Sequence, residues 1–414
     1  MSDYRDSEQT SVAVAEVQGL FGPFQFPELL LQRIWAEQTF DVSGLRTVDG
    51  RPVKIEGKGR WNRLGGPDFA EARIKIGDEW LSGAVEVHLR EEDWRAHGHA
   101  GDGNYDRVIL HVVLFPPKAS QTEGGGGRQI PIVVMLPLLW HDLEEYATDA
   151  AVTAIAARPL DVLAERWLAM SSEDVKIEIR TQAMTRWQQK VHYAKVRIDK
   201  LGWESACHHT ALEILGYKFN RSPMLQVATR WSLAAWMAGE VVVDAVFEAE
   251  KPKWKLQGVR PVNHPRKRLE SYARWVIAEG NWPRQLAKIG ERLAGGVLED
   301  GVKVAQARRE LGFTKTWRAV MGAIGAEGVV ASPRADNLWG DGLLPLLVAG
   351  GHLSKETGFG WWYHARPGDQ PDALVKAARR IGLADGRSNP LAWGHVQGLM
   401  GSQLAGAEAV PHRT

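Results

Sequence analysis

Apolar residues in the first third of the chain follow first a helical and then a strand-like spacing. A helix is predicted over residues 26–36, where Pro27 occupies a favourable first helical position. Its apolar face consists of Leu30, Leu31, Ile34 and Trp35. The segments that follow alternate apolar and polar residues with a period of two, which is typical of strands. The chain therefore begins as a helix followed by a sheet.

The strand-like segments predict an αβββαβ order of elements. Three strands are predicted at 52–57, 72–76 and 80–90, with the Gly77-Asp78 pair as a tight turn. A brief helix at 92–97 and an apolar strand at 107–115, typical of a sheet centre, follow. A further β-rich run at 129–136 comes after four glycines, Gly124 to Gly127, which we interpret as a flexible hairpin connection.

From about Leu160 onward the spacing becomes helical and strand alternation disappears. We therefore expect two domains: an α/β domain with a mixed sheet over residues 20–145, and an all-α region over residues 160–404.

The composition of the chain excludes some kinds of chemistry but does not identify a function. The 414 residues carry 51 Lys and Arg against 50 Asp and Glu, so the net charge does not indicate a polyanionic partner. Cys207 is the single cysteine, so a metal would have to be held by carboxylates and imidazoles. No apolar run approaches the roughly 20 residues that cross a membrane, and the N-terminus does not resemble a secretory signal. We expect a cytoplasmic protein that does not interact with a membrane.

Two acidic residues on neighbouring strands form the sharpest candidate site. Gly66-Pro67-Asp68-Phe69 precedes the second strand, and Glu86-Val87-His88 lies on the third. Two carboxylates at adjoining strand ends can bind a hard cation such as Mg²⁺ or Mn²⁺ and leave room for water and phosphate. Glu86 and His88 share one face of the strand, so His88 can orient or deprotonate a water beside the ion. The alternatives are turn-capping for Asp68 and a surface ion pair for Glu86.

Pro67-Asp68, Glu86-x-His88 and the αβββαβ order resemble the PD-(D/E)xK nuclease superfamily, whose members have a restriction-endonuclease-like fold. The resemblance covers about residues 20–136. His88 stands where the superfamily usually has lysine, and Lys75 on the neighbouring strand can project to a similar place. Glu28 resembles the additional acidic metal ligand that many members carry on their first helix. The resemblance implies a metal-dependent phosphodiesterase acting on DNA or RNA.

A second resemblance extends over nearly the whole chain. It rests on Gly66-Pro-Asp-Phe, on Val85-Glu-Val-His, on Asp93-Trp94-x-x-His97-x-His99 and on the segment from Tyr105 to Val113. Leu215-Gly216-Tyr217-x-x-Asn220 and Arg260-Pro261-x-Asn263-x-Pro265 continue it into the helical half. These segments together resemble an uncharacterised bacterial family of unknown function. This resemblance implies a family and not an activity.

The histidines allow an alternative metal site. His97, His99 and His111 lie close in sequence to His88 and can form an imidazole-rich zinc or manganese site. Hydrogen-bonding loop histidines are an equal alternative for His97 and His99, and a buried hydrogen-bonded histidine is favoured for His111. A zinc-type hydrolase is therefore the second hypothesis. A decayed nuclease fold that binds nucleic acid or protein is the third.

Two basic segments are candidate phosphate contacts. Arg60 and Arg63 stand just before the Gly-Pro-Asp element, and a solvated loop is an equal interpretation for them. In the helical half, residues 251–268 contain no acidic residue, although a solvated loop is slightly preferred there. The basic side chains of that segment that we assign to nucleic-acid binding are Lys251, Lys253, Lys255, Arg266, Lys267 and Arg268.

Overall fold

The structure is a computed structural model that describes residues 28–62, 65–139, 143, 146–147, 160–257, 259–293, 295, 301–368, 370, 372–386 and 389–408. The chain forms two compact units, residues 1–147 and 148–414. Their division falls between the two limits expected from the sequence, 145 and 160.

In its described residues, the N-terminal unit contains a seven-stranded mixed sheet, two α-helices with described bounds and several short 3₁₀ helices. The helices are α1 (Glu28–Glu37) and α2 (Asp93–Ala96). The strands are β1 (Val53–Gly57), β2 (Arg60–Trp61), β3 (Phe69–Ile76), β4 (Glu79–His88), β5 (Val108–Val113), β6 (Gln121–Glu123) and β7 (Gln129–Val134). The predicted mixed sheet is confirmed. The short strands β2 and β6 were not predicted, because two or three residues carry no readable alternation.

Strand order places β4 and β5 in the middle of the sheet. The order is β1-β3-β4-β5-β7-β6, with β2 pairing with β3. Strands β1, β3 and β4 are antiparallel neighbours, whereas β4, β5 and β7 run parallel. Val85, Val87 and Val112 are fully buried, as expected for parallel strands covered on both faces. The segment predicted as a sheet centre is β5, which lies between β4 and β7.

Gly83 allows β4 to approach β5. A Cβ atom at this position would lie 2.4 Å from the carbonyl oxygen of Arg107, and the amide of Ala84 donates to that same oxygen at 2.8 Å. A side chain would therefore separate the two strands where their pairing begins.

The C-terminal unit is helical, as predicted. Its helices are α3 (Leu160–Leu168), α4 (Ser172–Leu201), α5 (Trp203–Leu215), α6 (Tyr217–Arg230), α7 (Leu233–Met237), α8 (Val243–Ala249), α9 (Pro265–Ala278), α10 (Trp282–Gly290), α11 (Val304–Glu310), α12 (Phe313–Ala323), α13 (Ser332–Asn337), α14 (Leu344–Ala349), α15 (Lys355–Tyr363), α16 (Asp372–Arg380) and α17 (Trp393–Glu408). A π-helical segment, Leu338–Leu343, joins α13 to α14. Many tryptophans fill the core, among them Trp187, Trp275 and Trp339. Of the helices described, none has the length and apolar character needed to span a membrane.

Candidate metal centre

A cluster of acidic and histidine side chains lies at one end of strands β3 and β4. Glu28 comes from the first turn of α1, Asp68 precedes β3, and Glu86 and His88 end β4. His97 and His99 follow α2. The structure therefore brings together the residues of both metal-site hypotheses, which the sequence left as alternatives.

Asp68 is tied to β4 by its backbone and by its side chain. Its amide donates to Oε2 of Glu86 at 2.9 Å, and its Oδ2 accepts from the amide of Val87 at 3.0 Å. Its Oδ1 accepts from Nε2 of Gln32 at 2.7 Å. A register shift separates Phe69 from Ala72, and Glu71 within it has a left-handed φ of 62°. This bulge redirects the end of β3 and so aims Asp68 at Glu86.

The second oxygen of Glu86 faces the histidines. Its Oε1 lies 3.5 Å from Nε2 of His88 and 3.3 Å from Nε2 of His99. Oε1 of Glu28 lies 3.7 Å from Nε2 of His88. One carboxylate oxygen of Glu86 therefore accepts a hydrogen bond from the backbone, and the other points into the cluster.

His97 and His99 reach His88 because Gly98 turns the chain between them. Gly98 has a φ of 77°, a left-handed conformation that side-chain-bearing residues rarely adopt. Nδ1 of His97 lies 3.2 Å from Nε2 of His88, and the rings of His88 and His99 are stacked with centroids 5.2 Å apart. One nitrogen from each of these three rings lies within 4.8 Å of the other two. His97 is exposed, whereas His88 and His99 are buried.

His111 lies behind the cluster and does not face its centre. Its Nε2 is 2.9 Å from Nδ1 of His88, and its Nδ1 is 2.7 Å from Oγ1 of Thr122. Both ring nitrogens are therefore occupied, in keeping with the preference for a buried, hydrogen-bonded role. Of the four histidines in the alternative metal site, the structure brings His88, His97 and His99 together, and His111 is the one that does not face the centre.

Burial makes the ionised carboxylates unfavourable. Desolvation, with repulsion from Asp68, Glu86 and Asp93, raises the pKa of Glu28 from 4.5 to about 8. Desolvation also raises the pKa of Asp68 and of Glu86, and the charge of Glu86 adds to the rise for Asp68. Hydrogen bonds from Gln32 and Val87 to Asp68 offset only part of this rise. None of the ion pairs of Glu28 and Glu86 among the described residues involves arginine or lysine.

The same burial keeps the imidazoles neutral. Desolvation lowers the pKa of His88, and the neighbouring His111, His99 and His97 lower it further. Desolvation also lowers the pKa values of His99 and His111. Neutral imidazole is the form that ligates a metal, so protonation does not compete with metal binding at these rings.

The distances fit a bound cation. Metal–ligand bonds of about 2.1 Å place neighbouring ligand atoms about 3.0 Å apart at right angles and about 3.4 Å apart at tetrahedral angles. The contacts of 3.2, 3.3 and 3.5 Å that join His97, His88, Glu86 and His99 are of this size. Nε2 of His99 is buried and has no hydrogen-bond partner in the described part of the chain. A cation would satisfy this nitrogen and relieve the repulsion among the carboxylates.

Lys75 does not reach the cluster. It pairs with Trp80 at the hairpin end of β3, seven positions along the chain from Asp68, and its ammonium lies 3.7 Å from Asp78. With a rise of about 3.4 Å per residue, this end of the strand is more than 20 Å from Asp68. The expectation that Lys75 replaces the missing lysine is therefore corrected.

The candidate phosphate contacts near the site give little support. The side chain of Arg60 is 67% exposed and lies 3.5 Å from Glu71. Arg63 lies outside the described residues. Arg60 lies on the two-residue strand β2 and not in a loop, although its side chain is solvated as the second interpretation of this segment expects.

The basic segment of the helical unit is largely neutralised. Lys251 lies 2.8 Å from Glu248, Lys253 lies 2.9 Å from Glu250, and Arg266 lies 2.7 Å from Asp244. Arg268 is only 4% exposed and its guanidinium donates to Asn263, so it cannot contact a nucleic acid. Burial lowers the pKa of Lys255. Lys267 remains exposed. The basic-track interpretation is therefore corrected, because Asp244 and Glu248 of α8 and Glu250 directly after it supply the opposite charges just ahead of the segment.

Sequence reasoning missed three residues of the site. Gln32 holds Asp68 from α1, one turn after Glu28, and this i,i+4 spacing is a signal that the sequence contains. Thr122 ends the chain of contacts behind His88, and Tyr105 stacks on His99 with ring centroids 3.8 Å apart. Neither Thr122 nor Tyr105 has a local pattern that marks it.

The fold and this cluster define a mixed-sheet α/β domain with a buried histidine–carboxylate centre. The chain belongs to the family described as "Protein of unknown function (DUF2851)", whose model matches residues 28–240, just over half of the chain. No curated protein and no solved structure matches the chain.

Proposed function

We propose that the N-terminal unit is a metal-dependent phosphodiesterase that cleaves nucleic acid. The observation that carries the proposal is the group of three imidazole nitrogens, from His88, His97 and His99, that lie within 4.8 Å of one another. Oε1 of Glu86 lies 3.5 Å from Nε2 of His88 and 3.3 Å from Nε2 of His99, and no arginine or lysine pairs with Glu86 among the described residues. Three imidazoles and one carboxylate favour Mn²⁺ or Zn²⁺ over Mg²⁺, which prefers oxygen ligands.

The strand arrangement supports a restriction-endonuclease-like fold and with it the choice of nucleic acid. Antiparallel β1, β3 and β4 precede β5, which runs parallel to β4. Asp68 stands before β3 and Glu86 lies on β4, as the Pro-Asp and acid-x-base elements require. With the two-residue strand β2 set aside, the order α1, β1, β3, β4, α2, β5 supports the proposed αβββαβ arrangement.

Each residue of the cluster has a distinct task in hydrolysis. Glu86 and the three histidines would hold the ion, which would lower the pKa of a bound water and stabilise the charge that develops on the phosphate. Asp68 fixes Glu86 through its amide and directs one carboxylate oxygen into the site. The exposed ring of His97 marks the side from which substrate approaches.

Glu28 is the proposed proton acceptor in place of His88 and Lys75. The nitrogens of His88 face His111 and the cluster, and Lys75 is remote. The side chain of Glu28 is 29% exposed and has a pKa of about 8, so it can take a proton from water near neutral pH. The water oxygen bonds to phosphorus as the bond from phosphorus to the leaving sugar oxygen breaks. One water proton passes to Glu28, and the leaving oxygen takes a proton from solvent.

The test uses the full chain, stripped with chelator and reloaded with Mn²⁺, Zn²⁺ or Mg²⁺. We expect Mn²⁺-dependent cleavage of labelled single- or double-stranded DNA or RNA, and a loss of about 100-fold or more in Glu86→Gln. Glu79→Gln, the same change at the exposed start of β4, is the matched control and keeps wild-type activity. Absence of cleavage with every substrate and ion, or full activity in Glu86→Gln, overturns the proposal.

A zinc-type hydrolase of another bond is the second candidate, because three histidines meet at this centre. Stoichiometric zinc that survives dialysis, together with hydrolysis of carboxylic esters or amides but not of nucleic acid, would favour it. Nucleic-acid binding that persists in chelator without turnover would favour the non-catalytic binding module.

A further inference from the structure

We infer that His111 and Thr122 support the tautomer of His88 that carries its proton on Nδ1 and presents its Nε2 lone pair to the metal; this inference rests on the metal centre of the proposed function. His111 and Thr122 are positioning residues, since neither faces the centre of the cluster. They form with His88 a buried chain of two contacts, Nδ1 of His88 to Nε2 of His111 at 2.9 Å and Nδ1 of His111 to Oγ1 of Thr122 at 2.7 Å.

The protons in this chain can be arranged in two orders. In the first, the Thr122 hydroxyl donates to Nδ1 of His111, Nε2–H of His111 donates to Nδ1 of His88, and Nε2 of His88 carries a proton. That proton points toward Nδ1 of His97, 3.2 Å away. In the second, Nδ1–H of His88 donates to His111, Nδ1–H of His111 donates to the oxygen of Thr122, and Nε2 of His88 has a lone pair.

Only the second order allows His88 to ligate a metal, because a protonated nitrogen has no lone pair to give. In that order the N–H of His88 donates to a buried partner, an arrangement that orients a ligating ring and raises its basicity. His88, His111 and Thr122 are 0%, 0% and 1% exposed, so water does not compete for these contacts.

A hydroxyl suits the end of this chain for a physical reason. It can donate or accept, so Thr122 satisfies Nδ1 of His111 in either order. In the second order a purely apolar side chain would leave the Nδ1–H of His111 buried without an acceptor, whereas in the first order it would leave only a lone pair without a donor; an unpaired buried N–H is the less tolerated of the two, so the change disfavours the metal-binding order. Trp94 packs against the rings of His88 and His111, with centroids 6.4 and 5.3 Å away, and limits their rotation. The side chains of His88, His111 and Thr122 can therefore pass from one proton arrangement to the other without moving their heavy atoms.

The first experiment reads the tautomers directly. Long-range ¹H–¹⁵N NMR of the full chain, with signals assigned by single histidine substitutions, distinguishes Nδ1–H from Nε2–H in each ring. Zn²⁺ serves as the probe because it is diamagnetic. We expect both His88 and His111 to carry their protons on Nδ1 when zinc is bound. A proton on Nε2 of His111 in the zinc-loaded protein overturns the inference.

The second experiment measures affinity for Mn²⁺ and Zn²⁺ in Thr122→Val, which keeps the shape of the side chain and removes the hydroxyl. We expect a loss of about 10- to 100-fold. Thr122→Ser restores the hydroxyl and is expected to bind within about threefold of wild type. Thr47→Val removes another buried hydroxyl of the same unit and controls for a general loss of stability. Thermal unfolding of the metal-free proteins is recorded beside each affinity.

The outcomes separate this inference from the proposed reaction. Equal metal affinity in wild type and Thr122→Val overturns the role of Thr122 and leaves the phosphodiesterase intact. A wild type that binds metal and cleaves no nucleic acid overturns the reaction and leaves the tautomer inference intact. A wild type that binds neither Mn²⁺ nor Zn²⁺ overturns both.

Discussion

Replacing Glu86 by glutamine should stabilise the metal-free protein and weaken the metal-bound protein. The carboxyls of Asp68 and Glu86 have pKa values raised by burial, and Glu86 adds to the rise for Asp68. At neutral pH the folded metal-free protein therefore retains at least one proton that the unfolded chain has released. Glutamine keeps an oxygen that can accept from the amide of Asp68 but removes the charge.

The magnitude follows from proton linkage. A group whose pKa is higher in the folded protein than in the unfolded chain stabilises the fold at low pH. This contribution is lost as the pH rises toward and through the pKa of the folded protein. One extra proton bound by the folded state lowers the free energy of unfolding by about 1.4 kcal/mol per pH unit. Between pH 5 and pH 7 this one proton therefore contributes a loss of about 3 kcal/mol in the wild type. His88, His99 and His111, whose pKa values burial lowers, act in the opposite direction, but they do so in wild type and variant alike. Glu86→Gln should lose less and be more stable than wild type at pH 7 by about 1–3 kcal/mol.

A bound metal makes the wild type more stable than Glu86→Gln and so reverses their order of stability. Saturation at 100 times the dissociation constant adds about 2.7 kcal/mol to the wild type, and Glu86→Gln should gain little of it because one ligand is weakened. Native-state hydrogen exchange of peptides from β3 and β4, corrected for the intrinsic rate at each pH, reports this unit apart from the helical unit. Glu79→Gln is the control. The reasoning is refuted if, in chelator, the stability of Glu86→Gln relative to wild type does not increase from pH 5 to pH 7, or if Glu86→Gln is the less stable protein at pH 7.

Three further outcomes can be checked. Nucleic-acid cleavage should rise with pH as Glu28 loses its proton, with a midpoint below the pKa of about 8 in the metal-free site because a bound cation favours the ionised carboxylate, and Glu28→Gln should be slow and nearly independent of pH in that range; a falling wild-type profile would contradict this. Lys75→Ala should retain cleavage within about twofold in a steady-state assay, because Lys75 lies at the far end of β3, and a loss of 100-fold would return it to the site. Gly83→Ala should lower the free energy of unfolding by about 1–3 kcal/mol in urea titration, because its Cβ meets a backbone carbonyl of β5; an unchanged midpoint would show that the strands can separate at no cost.

Two local rules account for what could be predicted of the fold. Periodicity of apolar residues located α1, β1, β3, β4 and β5 and the change to helices near Leu160, because burial on one face imposes a spacing of 3.6 or 2. The same alternation placed Glu86 and His88 on one face of β4. Strands of two or three residues, such as β2 and β6, escape this rule, since their pairing depends on a neighbour that is distant in sequence.

Assignments of individual charges failed where partners come from elsewhere in the chain. Residues 251–268 contain only basic charges, yet Lys251, Lys253 and Arg266 meet acids of α8 and of the turn that follows it. The alternation of β3 indicates which face of the strand carries Lys75. Its distance from Asp68 becomes known only with the register of the hairpin. Charge pairing and the distance between two side chains depend on tertiary packing, which cannot be derived from a short segment of sequence.

By itself the sequence determined the residue types of the centre. With one cysteine in the chain, carboxylates and imidazoles are the strong metal ligands it offers, and Asp68, Glu86 and His88 lie where strand alternation can place them together. Only the tertiary structure decided which histidines face the centre, because that depends on the left-handed turn at Gly98 and on the parallel pairing of β4 with β5. This pairing puts His111 behind His88 and leaves Nε2 of His88 directed toward Glu86, a relation between strands joined by a long crossover that no local pattern can specify.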